Sequence, residues 1–98
     1  MEDQANDLGQ LIDSIYQINI HVQAFEKKYG LSSADFYELF SQGVLDEGEF
    51  EQTRDFCEWA GFFEIKRQRE DEFAALSRQR LEALRQQAVE GRLELTPQ

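Results

Sequence analysis

FEKKYGLSSADFYELFSQGVLDEGEFEQTRDFCEWAGFF, residues 25–63, holds the signals that decide the fold. Ser32 has the side chain of a helix N-cap, and Asp35 three residues on gives a variant of the capping box. Leu31 before the cap and Phe36 after it have hydrophobic-staple spacing. Gly43 supplies a left-handed stop, and Val44 beyond it can fold back onto the helix. A helix over about Ser33–Gln42 then turns Phe36, Leu39 and Phe40 inward, with Tyr37 at the edge of that face. Gly30 closes the helix before it. The turn VLDEGE hinges at Gly48, and a third helix starts at Glu49 or Phe50. Its early Glu and Asp residues suit the positive end of a helix dipole.

Upstream, Leu8, Leu11, Ile12, Ile15, Ile18, Val22, Phe25 and Tyr29 recur at helical spacing. They predict a first helix from about Asp7 to Tyr29, with Asn19 and Glu26 interrupting the stripe. Downstream, nothing stops the third helix before Gly91, because the one proline is Pro97. Such a helix is roughly 60 Å long, whereas a compact domain of this size has a radius of gyration of about 13 Å. It must either break, with Gly61 the weakest point, or project. The expected fold is therefore all-α: two shorter helices packed on a long C-terminal helix, part of which is free to stand off as an arm. The expected division is an acidic aromatic-rich domain (1–64), an amphipathic arm continuous with it (65–90) and a frayed tail (91–98). The arm is thinly apolar, with Phe73, Leu76, Leu81, Leu84 and Ala88 on one side among Arg69 and Arg80. It suits either a short homodimeric coiled coil or docking onto a partner.

The chain has 98 residues and a net charge of −10. A domain this small buries only about 60–65% of its unfolded surface, so the core is thin. Charge is uneven: 14 acids face 3 bases up to Glu64, for a net −11, and 6 acids face 7 bases after it, for +1. An acidic head argues against direct contact with nucleic acid, which needs clustered Lys and Arg, and against anionic membranes. It favours a basic protein partner and fast, salt-sensitive association. Acidity that serves only solubility is the plainer alternative. The single cysteine, Cys57, excludes an internal disulfide and fits a reducing, cytoplasmic setting. The start MEDQAND lacks the basic and apolar regions of a signal peptide, and no apolar run reaches the length of a membrane span.

Little in the chain suggests chemistry. His21 falls off the apolar stripe and reads as an exposed histidine. Cys57 reads as a small buried or half-buried hydrophobe, with no base beside it to make it a nucleophile. Asp46, Glu47, Glu49 and Glu51 look like a solvated turn and helix start. They lack the alternating ligands of a calcium loop, and the scattered glycines make no phosphate cradle. No metal, no cofactor and no enzymatic activity are expected.

Ten of the twelve aromatic residues lie in residues 25–63. So small a core has difficulty hiding all of them, and spare rings on an acidic surface suit a protein interface. The sharpest candidate is Asp55–Glu64, where Phe56, Trp59, Phe62 and Phe63 share a broad helix face. Trp is the residue most enriched at interface hot spots. Asp55 and Glu58 would steer a basic partner, and Tyr37, Phe73 and Leu76 would extend the surface. The competing reading makes these rings the contact between α-helices, most readily for Phe56 and Phe63.

The same stretch, from Phe25 to Glu64, resembles a pattern in small acidic bacterial proteins, cyanobacterial ones among them. Its marks are Glu26–Ser33 (EKKYGLSS), Asp35–Glu38 (DFYE), Gly43–Asp46 (GVLD) and Asp55–Gly61 (DFCEWAG). Genes of this kind often lie beside a small toxin gene. The resemblance implies an antitoxin that neutralises a small basic toxin, such as a ribonuclease, by binding it directly. No DNA-binding head accompanies it here. A homodimeric helical adaptor and an acidic DNA-mimic inhibitor remain the alternatives.

Overall fold

A computed structural model describes residues 4–46, 48–88, 91–95 and 97. Three helices make up the fold of the described residues: α1 (Gln4–Tyr29), α2 (Ser33–Gln42) and α3 (Phe50–Gln87). The all-α architecture, with two shorter helices on a long C-terminal one, is the expected one. Helix α1 begins three residues before the first residue expected from its pattern, because Gln4 and Ala5 are good helix formers that carry no apolar periodicity.

The ends of α2 fall where their chemistry puts them. The Asp35 N–H donates to Ser32 Oγ at 3.1 Å. The Ser33 N–H is satisfied from outside the helix, by Glu26 Oε2 at 2.8 Å. Glu26, an interruption in the stripe of α1, is thus a cap for the next helix. At the other end Gly43 has φ 70°. Its N–H donates to the Phe40 carbonyl and that of Val44 to the Leu39 carbonyl, the paired bonds of a Schellman turn.

Helix α3 runs unbroken through Gly61. A glycine inside a helix costs about 1 kcal/mol, and contacts on both flanks offset it here. Phe62 stacks on His21 with centroids 4.5 Å apart, and Phe63 meets Tyr37 at 5.3 Å. The molecule is accordingly elongated, 62 × 24 × 23 Å, with a radius of gyration of 18.6 Å.

The arm does not stand free over its whole length. Helix α1 runs antiparallel along α3: Lys28 lies against Asp55, Phe25 against Trp59 and His21 against Phe62. Further along, Gln10, Leu11 and Ser14 stand opposite Arg69, Glu72, Ala75 and Leu76. Phe73 and Leu76 are half-buried. The expected boundary after Glu64 therefore falls inside one continuous helix with α1 spanning it. Carried on, that register brings α1 to its first residue near the level of Arg80, and only the last turns of α3 extend past it. The described tail residues, Gly91–Leu95 and Pro97, are exposed. Residues 1–3 of the expected signal-free start, Glu47 of the acidic turn, and Val89, Glu90, Thr96 and Gln98 of the arm and tail lie outside the described residues.

Packing concentrates at one end. The buried apolar side chains among the described residues are Val22, Phe36, Trp59 and Ala60. Around Phe36, Trp59 and Ala60 pack Phe25, Tyr29, Leu31, Tyr37, Phe40, Leu45 and Phe56. Most of the aromatic wealth is spent there.

Candidate functional site

The expected interface patch divides between the inside and the outside of the head. Trp59 is fully buried. Its ring lies parallel to Phe36 with centroids 3.9 Å apart, and Phe25 and Tyr29 each stack at 5.8 Å. Its Nε1–H donates to Ser33 Oγ at 2.8 Å. This corrects the hot-spot expectation: all three helices converge at this level, so a large side chain on the inner side of α3 is enclosed.

Asp55 is corrected in the same way. It is buried and accepts from Lys28 Nζ at 2.6 Å and from the Tyr29 hydroxyl at 2.7 Å. Its charge is consumed in a tie between α1 and α3, which leaves little of it to steer a partner. Phe56, half-buried, packs between Tyr29 at 5.4 Å and Phe36 at 5.6 Å. Phe62 is half-buried beneath His21. That histidine is exposed as expected, and its ring serves as a lid.

The Asp55 tie sets a pH dependence. The hydrogen bond from Lys28, then that from Tyr29, holds the Asp55 carboxyl below its ordinary 3.8. A carboxyl depressed on folding contributes stability that is complete above its unfolded value and is lost as pH falls through the folded one. Burial, then the bond to Asp55, raises the Tyr29 hydroxyl above 10.0, and the bond to Asp55 raises Lys28 above 10.5. Their contributions are complete below those values and are lost as pH rises through the folded ones. Urea midpoints of the wild type and of Asp55→Asn, taken from about pH 6 down to about pH 2, are expected to converge. A gap that stays constant would mean that the carboxylate charge is not its source.

Several expected residues do remain at the surface. Glu58 is exposed, 3.8 Å from Arg54, a pairing worth little in water. Tyr37 is half-buried; its hydroxyl donates to Glu64, and that bond is the largest influence raising it above 10.0. Arg67 covers the Tyr37 and Phe63 rings at 6.0 and 5.6 Å. Phe73 and Leu76, half-buried, lie too far along α3 to join these residues in one patch.

The most exposed ring of the head is one that the expected site left out. Phe50, the first residue of α3, is 80% exposed. It shares a helix side with Thr53 and Cys57 by its i, i+3, i+7 spacing. Those two residues, with Phe40, Gly43, Leu45 and Phe56, line a groove of about 280 Å³. Val44 is exposed beside it. Cys57 is exposed rather than buried. Exposed acids lie close in sequence to these residues: Asp46, Glu49, Glu51 and Glu58, with Glu51 turned toward α1, 3.7 Å from Lys28. The sequence did carry a signal for Phe50, a large apolar residue at the first position of a helix, between two glutamates and ahead of the first inward-facing turn.

Among the described residues no group of three or more His, Cys, Asp or Glu is placed to hold a metal ion. No helix among them is long and apolar enough to cross a membrane. No protein-family model, curated protein or solved structure matches the chain.

Proposed function

We propose that this chain is a non-enzymatic binding protein whose acidic head captures a basic protein, in the antidote role that its resemblance to antitoxins implies. One observation carries the reading: Phe50, 80% exposed, stands at the start of α3 between the exposed carboxylates of Glu49 and Glu51, on the side of the helix that borders the small groove at Cys57. A solvent-exposed phenyl ring gains by burial at an interface, and carboxylates around it select Lys- and Arg-bearing partners and speed their approach. The partner would insert an apolar side chain over Phe56 and Leu45 while its cations meet Glu49, Glu51 and Glu58. A small basic toxin such as a ribonuclease has that chemistry. The acidic surface disfavours nucleic acid as the direct ligand.

Expression of the adjacent small reading frame, alone and together with this chain, tests the role. Growth arrest that co-expression relieves, with the two proteins co-purifying, is the expected outcome. An adjacent product that neither arrests growth nor co-purifies would sink it. Within the complex, Phe50→Ala is expected to weaken binding by about 2 kcal/mol, roughly 30-fold, by calorimetry, with helicity unchanged. Reversal of Glu51 and Glu58 to Lys is expected to slow association several-fold and flatten its salt dependence. On-rates indifferent to both changes would rule out electrostatic steering.

A further inference from the structure

Helix α1 carries more apolar surface than α3 covers. Beside the stripe that faces α3 runs a second row, Ile12, Tyr16 and Ile20, at i, i+4 and i+8. These side chains are 52%, 66% and 50% exposed. The row lies where the molecule is thinnest. The α2 side chains reach along α3 as far as Arg67, which the α1–α3 register places level with Tyr16. From there toward the start of α1, no third element among the described residues covers the helix pair.

Charge is almost missing from this surface. The 17 residues from Leu8 to Ala24 contain one Asp, Glu, Lys or Arg, namely Asp13, in a chain that is 31% charged. A basic or acidic partner finds nothing here to pair with. A second copy of the chain does fit. Two molecules of net charge −10 meet with least repulsion through a neutral surface. The elongated molecule as a whole also has surface to spare for such a contact. The chain exposes 7575 Å², against about 5,800 Å² for a compact monomer of this mass. A standard interface takes about 800 Å² per partner.

We infer that two copies pair along this row about a two-fold axis at Tyr16, antiparallel, so that the helix pairs form the middle of a four-helix bundle. Isologous contact sets Tyr16 on its counterpart and Ile12 on Ile20 of the second copy. Antiparallel pairing sends the acidic heads to opposite ends. Cys57 lies about ten residues from the level of Tyr16, so the two Cys57 residues are about 30 Å apart along the bundle, well beyond the screening length of about 8 Å. Parallel pairing would set two acidic heads side by side. The surface differs from the Phe50 groove, so pairing leaves both heads free and does not depend on what they bind.

Sedimentation equilibrium of the full chain is expected to give twice its 11.5 kDa. Tyr16→Glu sets two carboxylates against each other at the axis and is expected to weaken pairing about 100-fold or more, with helicity kept, while Tyr16→Phe stays dimeric. A spin label on Cys57, the one cysteine, then reads the orientation: a separation of about 30 Å or more is expected from the axial offset alone. A monomeric wild type overturns the inference, as does a dimer that Tyr16→Glu leaves intact or labels closer than about 20 Å. Should Tyr16→Glu lose helicity, Ile12→Gln with Ile20→Gln replaces it and is expected to dissociate the dimer; a dimer that survives this pair also overturns the inference.

Discussion

In Trp59→Ala the urea midpoint is expected to fall by the equivalent of about 3–5 kcal/mol, the usual cost of deleting a buried aromatic side chain. For a domain whose whole stability is about 5–15 kcal/mol, that is enough to leave much of the population unfolded near body temperature. Three losses combine. The rings of Phe25, Tyr29 and Phe36 each lose a stacking partner. A cavity opens where all three helices meet. Ser33 Oγ, on a residue that is itself buried, loses the indole donor. Trp59→Phe separates these effects: it keeps most of the ring contact and removes the donor, so about 1–3 kcal/mol is expected. Circular dichroism during urea titration measures both. A Trp59→Ala protein that stays folded and loses only a partner would restore Trp59 as an interface residue.

Phe36→Ala is expected to cost a similar amount, about 3–5 kcal/mol, but to fail locally first. Helix α2 has ten residues, below the roughly 12–15 at which an isolated helix becomes even marginal in water. Phe36 is its one fully buried apolar side chain and rests on Trp59, Phe40 and Phe56. Without it, the caps at Ser32 and Gly43 close a helix that nothing holds down. Hydrogen exchange is expected to show the amides of α2 losing protection before those of α1 and α3. Phe36→Leu, which keeps most of the volume, is expected to cost about 1.5 kcal/mol or less. In the Phe36→Ala, Trp59→Ala double variant the losses should fall short of additive by about 0.5–3 kcal/mol, since the two rings share one contact. Full additivity, or uniform loss of protection across all helices, would contradict the role of Phe36 as the fastener of α2.

The three helices were legible because their signals are local. Ser32, Gly43, Gly30 and the spacing of Leu8 through Tyr29 act within a turn or two of chain, and the structure places the ends of α2 on the expected residues. Gly61 was ambiguous for the opposite reason. Its helix cost is local, while the contacts that outweigh it come from His21 and Tyr37, 40 and 24 residues away in sequence.

The candidate site was legible in kind and not in detail. An excess of rings over core volume was correct as a principle, and Phe50 does stand in solvent. Which rings are the spare ones depends on which side of α3 meets α1 and which meets α2. Periodicity put Phe56, Trp59, Phe62 and Phe63 on one broad face without saying how many neighbours that face has. With two neighbours, Trp59 is enclosed, Phe56 and Phe62 are half covered, and the outward surface shifts to Phe50 and Cys57. Asp55 and Glu58 show the same limit. Both are acids at the start of one helix; one is buried under Lys28 and Tyr29, the other is in water.

By itself, then, the sequence determined the helices, their caps, the acidic head and the near-neutral remainder, since each depends on chemistry within a few residues of chain. Only the tertiary structure decided which residues are inside. The antiparallel course of α1 along α3 brings residues from 26 to 41 positions apart into contact, and burial follows from that convergence rather than from the character of any one side chain.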